Sequence, residues 1–433
     1  MGGWPAGLPG GMDAMNRSTT REFLAPGTSV APGEVLVPTQ IGDPVRGPLP
    51  CPAAPLVGGT LLRKGRRFGY APVGQCADPS HDDGGAIIFV ATCPQRDGTM
   101  AAVAAAASAA DRVAVAAARS AVDEWSAVFG TRRLLAATSP WCSGATQALA
   151  AARRVADGRR TVYVYGYLAA DSSAICELAE LGAVFVRSLD EIPDDATVLF
   201  PAHGVCPAVQ AEAEARGLEI IDATCPLVAG VHGEARKFAG RGDDIVLIGQ
   251  AGHAAVAAIT GQAPGRTTVV STRASTAALR VADPRRVSYL LQPGIPVEDS
   301  APVIAALRSR FPALHGPQPD GFCYAASDRA ETVRVIASAS DVMLVLGSAD
   351  SPDTRQLSAL ARDRGARPHV VGQTADVLPA MLSGAYTIGM AESTSTRPDL
   401  AAQVTEALSG LGPLIVTSRR VSTDVVGAPA WRP

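Results

Sequence analysis

The sequence Asp222-Ala-Thr-Cys225-Pro-Leu-Val228 follows an apolar run that ends at Ile221. Proline has no N–H group to donate to a strand ladder, so Pro226 predicts that a strand ends here and that Cys225 lies in the loop after it. A single cysteine in such a position is usually a buried, unreactive thiol. Further cysteines in similar surroundings change that expectation.

Two more cysteines have comparable positions. Cys142 lies in Trp141-Cys-Ser-Gly144, and Cys323 lies in Gly321-Phe-Cys-Tyr324. Cys225 lies 83 residues after Cys142 and 98 residues before Cys323, and each begins a segment with the pattern of strand, glycine loop and helix. One cysteine in each of three similar segments predicts three thiolates at a common centre. Such a set matches a [4Fe–4S] cluster with one iron free of protein ligands, although thiolates also bind copper(I) and zinc.

Four segments resemble the LytB-type 4-hydroxy-3-methylbut-2-enyl diphosphate reductases in sequence, order and spacing, from about Ser139 to about Gly412. They are Phe200-Pro-Ala-His203-Gly-Val205, the Cys225 sequence, Gly249-Gln-Ala-Gly-His253 and Cys323-Tyr-Ala325. The resemblance implies an α/β fold in which three pseudo-repeated modules form a trefoil around a central [4Fe–4S] cluster. It also implies that Cys142, Cys225 and Cys323 bind the metal.

The resemblance assigns a substrate site as well. In the family, histidines, serines and an asparagine hold a diphosphate. His203 and His253 match two of the histidine positions, and Ser351 and Ser395 match two of the serine positions. The implied partners are a small-molecule substrate and an electron donor such as ferredoxin or flavodoxin.

Four positions depart from the family pattern. The third histidine aligns with Ala170, the catalytic glutamate with Ala255, the threonine with Pro293 and the asparagine with Asp353. Alanine and proline have no proton to give, so the family's proton relay is absent. Asp353 places a carboxylate beside the expected diphosphate, where like charges repel. The departures concern the substrate pocket alone, since all three cysteines are retained.

These features leave three hypotheses. The favoured one is an iron–sulfur reductase that removes a hydroxyl group from a substrate other than the family's diphosphate, because the retained residues His203, His253 and Ser395 indicate a working pocket. The second is the family's own reaction in isoprenoid synthesis, with the proton supplied by another acid. The third is a non-catalytic, cluster-bearing redox protein. Candidate acids for the second hypothesis are Asp171, Asp353 and Glu392.

Composition narrows the class of protein. The 433 residues are 47% hydrophobic and 18% charged, and the net charge of −3 gives no basic field for nucleic acid or an anionic membrane. Residues 1–32 lack the apolar core of a signal peptide, and Met100 to Ala118 is too weakly hydrophobic to span a bilayer. Eight cysteines without a secretion signal predict a reducing, cytoplasmic setting with ligand or free thiols.

The expected domain organisation has six parts. A disordered leader covers residues 1–33 and a small N-terminal α/β module, not covered by the resemblance, covers 34–138. Three cluster modules follow at 139–224, 225–322 and 323–424, with a tail at 425–433. Within the N-terminal module, the pattern predicts helices over Thr99–Ala110 and Ser120–Phe129. It predicts strands at Val35–Val37, Ala86–Ala91, Arg112–Val115 and Arg133–Ala137.

Overall fold

The computed structural model describes residues 20–43, 46–77, 85–137, 142–156, 161–166 and 172–423, without the side chains of 172–174. It divides into two compact units. The first spans Met1–Ala137 and Ile336–Arg419, and the second spans Thr138–Val335 and Arg420–Pro433. No helix in the described ranges is both long and apolar enough to cross a membrane.

The first unit begins with a six-stranded sheet of order β1-β5-β6-β2-β3, in which β4 pairs with β2. Its elements are β1 (Arg21–Ala25), β2 (Glu34–Asp43), β3 (Gly47–Pro50), α1 (Ala54–Arg63), β4 (Arg67–Gln75), β5 (Ala86–Pro94), β6 (Met100–Ser108) and α2 (Arg112–Ser126). β1 pairs antiparallel with β5, so the prediction of a disordered leader up to residue 33 is wrong for Arg21–Ala25.

Two secondary-structure predictions in this module are also wrong. The alanine-rich segment Met100–Ser108 is strand β6 instead of a helix, because it is a central strand packed on both faces, where the close approach of α2 requires small side chains. The predicted strand at Arg112–Val115 is the first turn of α2. Asp111 caps that helix by accepting hydrogen bonds from the N–H groups of Val113 and Ala114.

The chain then forms β7 (Arg132–Ala137) and enters the second unit, which contains two parallel sheets. The first sheet has the order β11-β10-β8-β9 and the second has the order β13-β12-β14. The elements are α3 (Ser143–Ala156), β8 (Val162–Tyr165), α4 (Ser172–Glu180), β9 (Ala183–Val186), β10 (Thr197–Phe200), α5 (Pro207–Ala215), β11 (Glu219–Asp222), α6 (Pro226–Gly240), β12 (Asp244–Ile248), α7 (Ala254–Gln262), β13 (Thr267–Val270), α8 (Arg273–Ala277), β14 (Val287–Leu291) and α9 (Val297–Arg310).

Helix α10 (Ala325–Ser338) leads back into the first unit and its third parallel sheet, of order β16-β15-β17-β7-β18. The remaining elements are β15 (Val342–Leu346), α11 (Pro352–Asp363), β16 (Arg367–Val371), α12 (Pro379–Leu382), β17 (Thr387–Glu392), α13 (Leu400–Ser409) and β18 (Leu414–Arg419). Every residue of β15 is buried, as is typical of a central parallel strand.

The N-terminal elements and the third sheet share one hydrophobic core. A Cβ atom on Gly59 of α1 would clash with the backbone oxygen of Ala375, and one on Gly410 would lie 2.6 Å from the backbone nitrogen of Ala53. The sequence places strand 133–137 in the N-terminal module, but β7 lies between β17 and β18. The structure therefore contains the predicted α/β class with three modules of parallel strands. The domain boundary near residue 138 stays a prediction.

Candidate functional site

All three predicted metal-binding cysteines lie at helix N-termini of the second unit. Cys142 immediately precedes α3, Cys225 is the N-cap residue of α6, and Cys323 lies two residues before α10. The N–H group of Ala145 donates to Sγ of Cys142 at 3.4 Å. The positive end of a helix dipole favours the thiolate form of a cysteine. Each position therefore suits a thiolate ligand.

Cys323 links the three positions electrostatically. Burial raises the pKa of its thiol, and the negative charges of Cys142 and Cys225 raise it further. The backbone N–H groups of Ala325 and Gly294 donate to its sulfur and lower this pKa. The charges of the two other cysteines therefore act on Cys323, and repulsion among thiolates favours a bound cation over free thiolates.

A glycine allows two of the cysteine-bearing helices to meet. A Cβ atom on Gly144, near the start of α3, would lie 2.6 Å from Sγ of Cys225 and 2.8 Å from its Cβ. A role for this glycine was not predicted from the sequence. Its place two residues after Cys142 was the available signal, because a glycine inside a helix costs stability and needs a reason.

These thiols fit an iron–sulfur cluster. Within the described ranges, no three His, Cys, Asp or Glu side chains are grouped as ligands of a single metal ion. A [4Fe–4S] cluster does not need such a group, since its thiolates bind different iron atoms. Cys142, Cys225 and Cys323 are free thiols, of which Cys142 is exposed and the other two are partly exposed.

The two predicted substrate histidines lie together in loops that follow β10 and β12. The ring centroids of His203 and His253 are 5.1 Å apart, with an edge-to-face angle of 75°. Burial, with a smaller contribution from His253, lowers the pKa of His203 to about 4, and burial also lowers the pKa of His253. Both imidazoles are therefore neutral near pH 7 and act as hydrogen-bond donors without a full charge.

The tautomer of His253 follows from its role as N-cap of α7. Its Nδ1 accepts a hydrogen bond of 3.1 Å from the N–H group of Ala255, so the ring proton is on Nε2. Nε2–H remains for an external acceptor. A neutral donor pair beside a helix N-terminus suits an anionic oxygen.

In the first unit, hydroxyl groups collect at the carboxyl ends of β15 and β17. Oγ of Ser395 accepts from the N–H group of Ser348 at 3.0 Å and lies 2.8 Å from Oγ of Ser393. Ser351 is the N-cap residue of α11, but its side chain makes no capping hydrogen bond. Hydroxyls at strand ends beside a helix N-terminus are typical of phosphate sites. The repeated Ser and Thr residues from 393 to 396 were the signal for Ser393, which the sequence analysis missed.

The candidate acids differ in their surroundings. Oδ2 of Asp353 accepts a hydrogen bond of 2.6 Å from the N–H group of Thr394, which ties α11 to the loop after β17. Glu392 is the last residue of β17, where it pairs with Leu346. Asp171 lies outside the described residues, and so does Ala170.

Ala255 and Pro293 lie at the two positions where the resemblance implies proton donors, and both are apolar. Ala255 lies in the first turn of α7 and is 0% exposed. Pro293 lines a narrow cavity together with Leu227, Phe322 and Cys323. Neither side chain can donate a proton.

The family described as LytB protein matches residues 134–409. A protein of Mycobacterium bovis named 4-hydroxy-3-methylbut-2-enyl diphosphate reductase 2 is 41% identical over 298 residues, which cover 68% of this chain and 91% of the relative. A Xanthomonas campestris protein named 4-hydroxy-3-methylbut-2-enyl diphosphate reductase is 38% identical over 285 residues, which cover 64% of this chain and 90% of the relative.

Two solved structures are also similar. The E-1-hydroxy-2-methyl-but-2-enyl-4-diphosphate reductase of Plasmodium falciparum has a TM-score of 0.59 at 23% identity, covering 70% of this chain and 96% of that one. A second structure, described as (E)-4-hydroxy-3-methyl-but-2-enyl diphosphate reductase, has a TM-score of 0.54 at 23% identity, covering 64% and 99%. The predicted fold is confirmed by this similarity.

Proposed function

We propose that this chain, which belongs to the LytB protein family and is an oxidoreductase, is an iron–sulfur reductase. Its reaction removes a hydroxyl group from a phosphate-bearing substrate other than 4-hydroxy-3-methylbut-2-enyl diphosphate. Such a reaction consumes two electrons and two protons for each hydroxyl released as water. An external donor of the ferredoxin or flavodoxin class supplies the electrons.

The chain's residues divide into two roles. Cys142, Cys225 and Cys323 would hold the cluster, with the helix N-termini and the N–H donors at Cys323 stabilising their thiolates. Bound there, a [4Fe–4S] cluster supplies the electron transfer that the reaction needs. His203 and His253 bind and orient an anionic group as neutral donors.

The observation that supports a changed substrate is the complete burial of Ala255, two residues after His253 in the first turn of α7. A general acid contributes about 10²–10⁴-fold to a reaction of this kind. Where a buried alanine takes the place of the catalytic acid, the pocket suits a substrate whose leaving hydroxyl group receives its proton from another group. Pro293, a second apolar residue, lines a cavity together with Cys323.

The family's own reaction is the second candidate, because 41% identity over 298 residues to a named diphosphate reductase favours it. Under this reading Asp171, Asp353 or Glu392 replaces the missing acid. The hydrogen bond from Thr394 shows that Asp353 already has an acceptor role within the chain.

An anaerobic assay of the cluster-loaded protein with a chemical reductant tests the proposal. We expect little turnover of 4-hydroxy-3-methylbut-2-enyl diphosphate and a gain with Ala255→Glu, and Ala255→Gln serves as a control of similar shape without an acid. A panel of other phosphate-bearing allylic alcohols should contain a better substrate. Robust turnover of the family's diphosphate by the unmodified protein overturns the changed substrate, and no reduction of any alcohol favours a non-catalytic redox protein.

A further inference from the structure

His232 is a buried imidazole that the proposed chemistry does not use. It lies on α6, seven residues after Cys225, and is 6% exposed. Its Nε2 atom is buried and has no hydrogen-bond partner among the described residues. Buried polar groups in folded proteins nearly always have a partner, so an unpartnered ring nitrogen points to a molecule that the chain does not supply.

Hydrogen bonds around Gln262 settle which nitrogen carries the proton. Arg236 donates to Oε1 of Gln262, so the amide nitrogen faces the other way. That nitrogen donates to the backbone oxygen of Val205 at 3.1 Å and lies 3.4 Å from Nδ1 of His232. Because the amide nitrogen only donates, Nδ1 is an acceptor and the proton is on Nε2. The unpartnered atom is therefore a buried N–H donor.

The ring also lies against the loop that carries His203. Gly204 follows His203 and has a φ of +66°, a conformation in which a side chain would be strained. A Cβ atom on Gly204 would lie 2.7 Å from Cε1 of His232 and 3.1 Å from Oγ1 of Thr224, the residue before Cys225. The imidazole thus packs against Gly204, while the two loops meet directly, since the N–H group of Cys225 donates to the backbone oxygen of Ala202 at 3.0 Å.

We propose that His232 is a positioning residue: its Nε2–H group binds one buried water molecule and, together with Gln262, fixes the loop His203–Val205 so that the His203 ring faces His253. A buried water with two to four polar partners is the usual way to satisfy such a donor. This inference rests on the proposed function, since it takes His203 as a residue that binds the substrate's anionic group.

Two variants of His232 distinguish the contribution of Nε2 from that of Nδ1. The amide of glutamine reaches the position of Nε2, whereas the shorter asparagine reaches only that of Nδ1. In the cluster-loaded protein, we expect His232→Asn to bind inorganic pyrophosphate about tenfold more weakly by calorimetry, as for the loss of about one hydrogen bond. We expect His232→Gln to stay within about twofold of the unmodified protein. The exposed His315, replaced by asparagine, is the matched control.

Iron content and the electron paramagnetic resonance signal of the reduced cluster should not differ among these proteins, because the proposed role concerns the His203 loop. A crystal structure of the cluster-loaded protein should show a water within hydrogen-bond distance of Nε2. A dry Nε2, or equal pyrophosphate affinity in all variants, overturns the positioning role. If His232→Asn fails to fold, Gln262→Met removes the same support from the other side and should weaken binding likewise.

Failure of the proposed function has a different signature. If the unmodified protein binds no pyrophosphate, the anion-binding role of His203 is wrong. The positioning role is then decided by crystal structures alone. It is supported if the His203 ring moves in His232→Asn and stays in His232→Gln, and it is overturned if the ring is unmoved in both.

Discussion

Gly144 and Cys225 approach so closely that a Cβ atom on the glycine would lie 2.6 Å from the cysteine sulfur. No real side chain tolerates that distance, so Gly144→Ala must push α3 away from the cysteine at the start of α6. We expect a large loss of iron and sulfide after anaerobic purification. Gly230→Ala, in the exposed part of α6 with open space around it, is the control. It should keep its cluster and gain up to about 1 kcal/mol of stability.

Cluster content should depend on three cysteines and be insensitive to the others. Replacing Cys225 by serine removes a thiolate at a helix N-terminus and should abolish the paramagnetic signal of the reduced cluster. Cys176, which is exposed, should be replaceable by serine without change. A cluster that survives in Cys225→Ser would show that the thiolate set is wrong.

Stability should fall on mild acidification. Burial lowers the pKa of His232 to about 4, whereas an unfolded histidine has a pKa of about 6.5. As the pH falls below 6.5, the unfolded state binds a proton that the folded state does not, so folding loses about 1 kcal/mol by pH 5.5 for this residue. Denaturant unfolding at pH 7.5 and 5.5 should show a smaller pH effect in His232→Gln, which cannot titrate. An equal effect in both proteins would assign the pH dependence to other groups.

Asp353→Asn should strengthen anion binding without disturbing the loop. The amide oxygen of asparagine can still accept from the N–H group of Thr394, while the negative charge beside Thr394, the neighbour of Ser395 in the chain, is removed. For a partly screened charge, we expect pyrophosphate affinity to rise roughly two- to fivefold. Asp350→Asn, in the exposed loop before α11, provides the comparison. A decrease in affinity would mean that the carboxylate itself contributes to binding, for example through a cation.

Removal of the N-terminal elements should unfold the third sheet. A chain beginning at residue 130 keeps β7 but loses the α1 and α2 surfaces that complete the shared core, including Leu56 and Trp125. Because this apolar surface of the third sheet is uncovered, we expect a protein that is insoluble or that shows partial unfolding by circular dichroism. Removal of residues 1–19 alone tests the leader prediction, and we expect the midpoint of thermal unfolding to stay the same. A soluble, cooperative fragment from residue 130 would show that the third sheet folds without the N-terminal elements.

Sequence reasoning succeeded where a short motif fixes a local geometry. The three cysteines lie at the starts of helices, and Cys225 follows the end of a strand at a proline that the sequence marks. Predictions from the sequence were wrong where long-range packing determines the secondary structure. The alanine-rich β6 has helix propensity, yet its neighbours β5 and β2 turn it into a central strand. Likewise, the place of Gly144 two residues after Cys142 indicates a special role, but nothing in the local sequence identifies its partner, a cysteine 81 residues away.

The position of β7 has a consequence for how the protein is made. The strand pairs with β17, where Arg133 lies opposite Thr387, and with β18, where Arg132 lies opposite Leu414. A ribosome adds about 5–20 residues each second, so Leu134 and Leu135 wait on the order of 10–60 s for the strands that will cover them. During that interval an apolar edge is open to other nascent chains. The protein should therefore depend on chaperones that hold unpaired strands, and slower translation of the last hundred residues should lower its soluble yield.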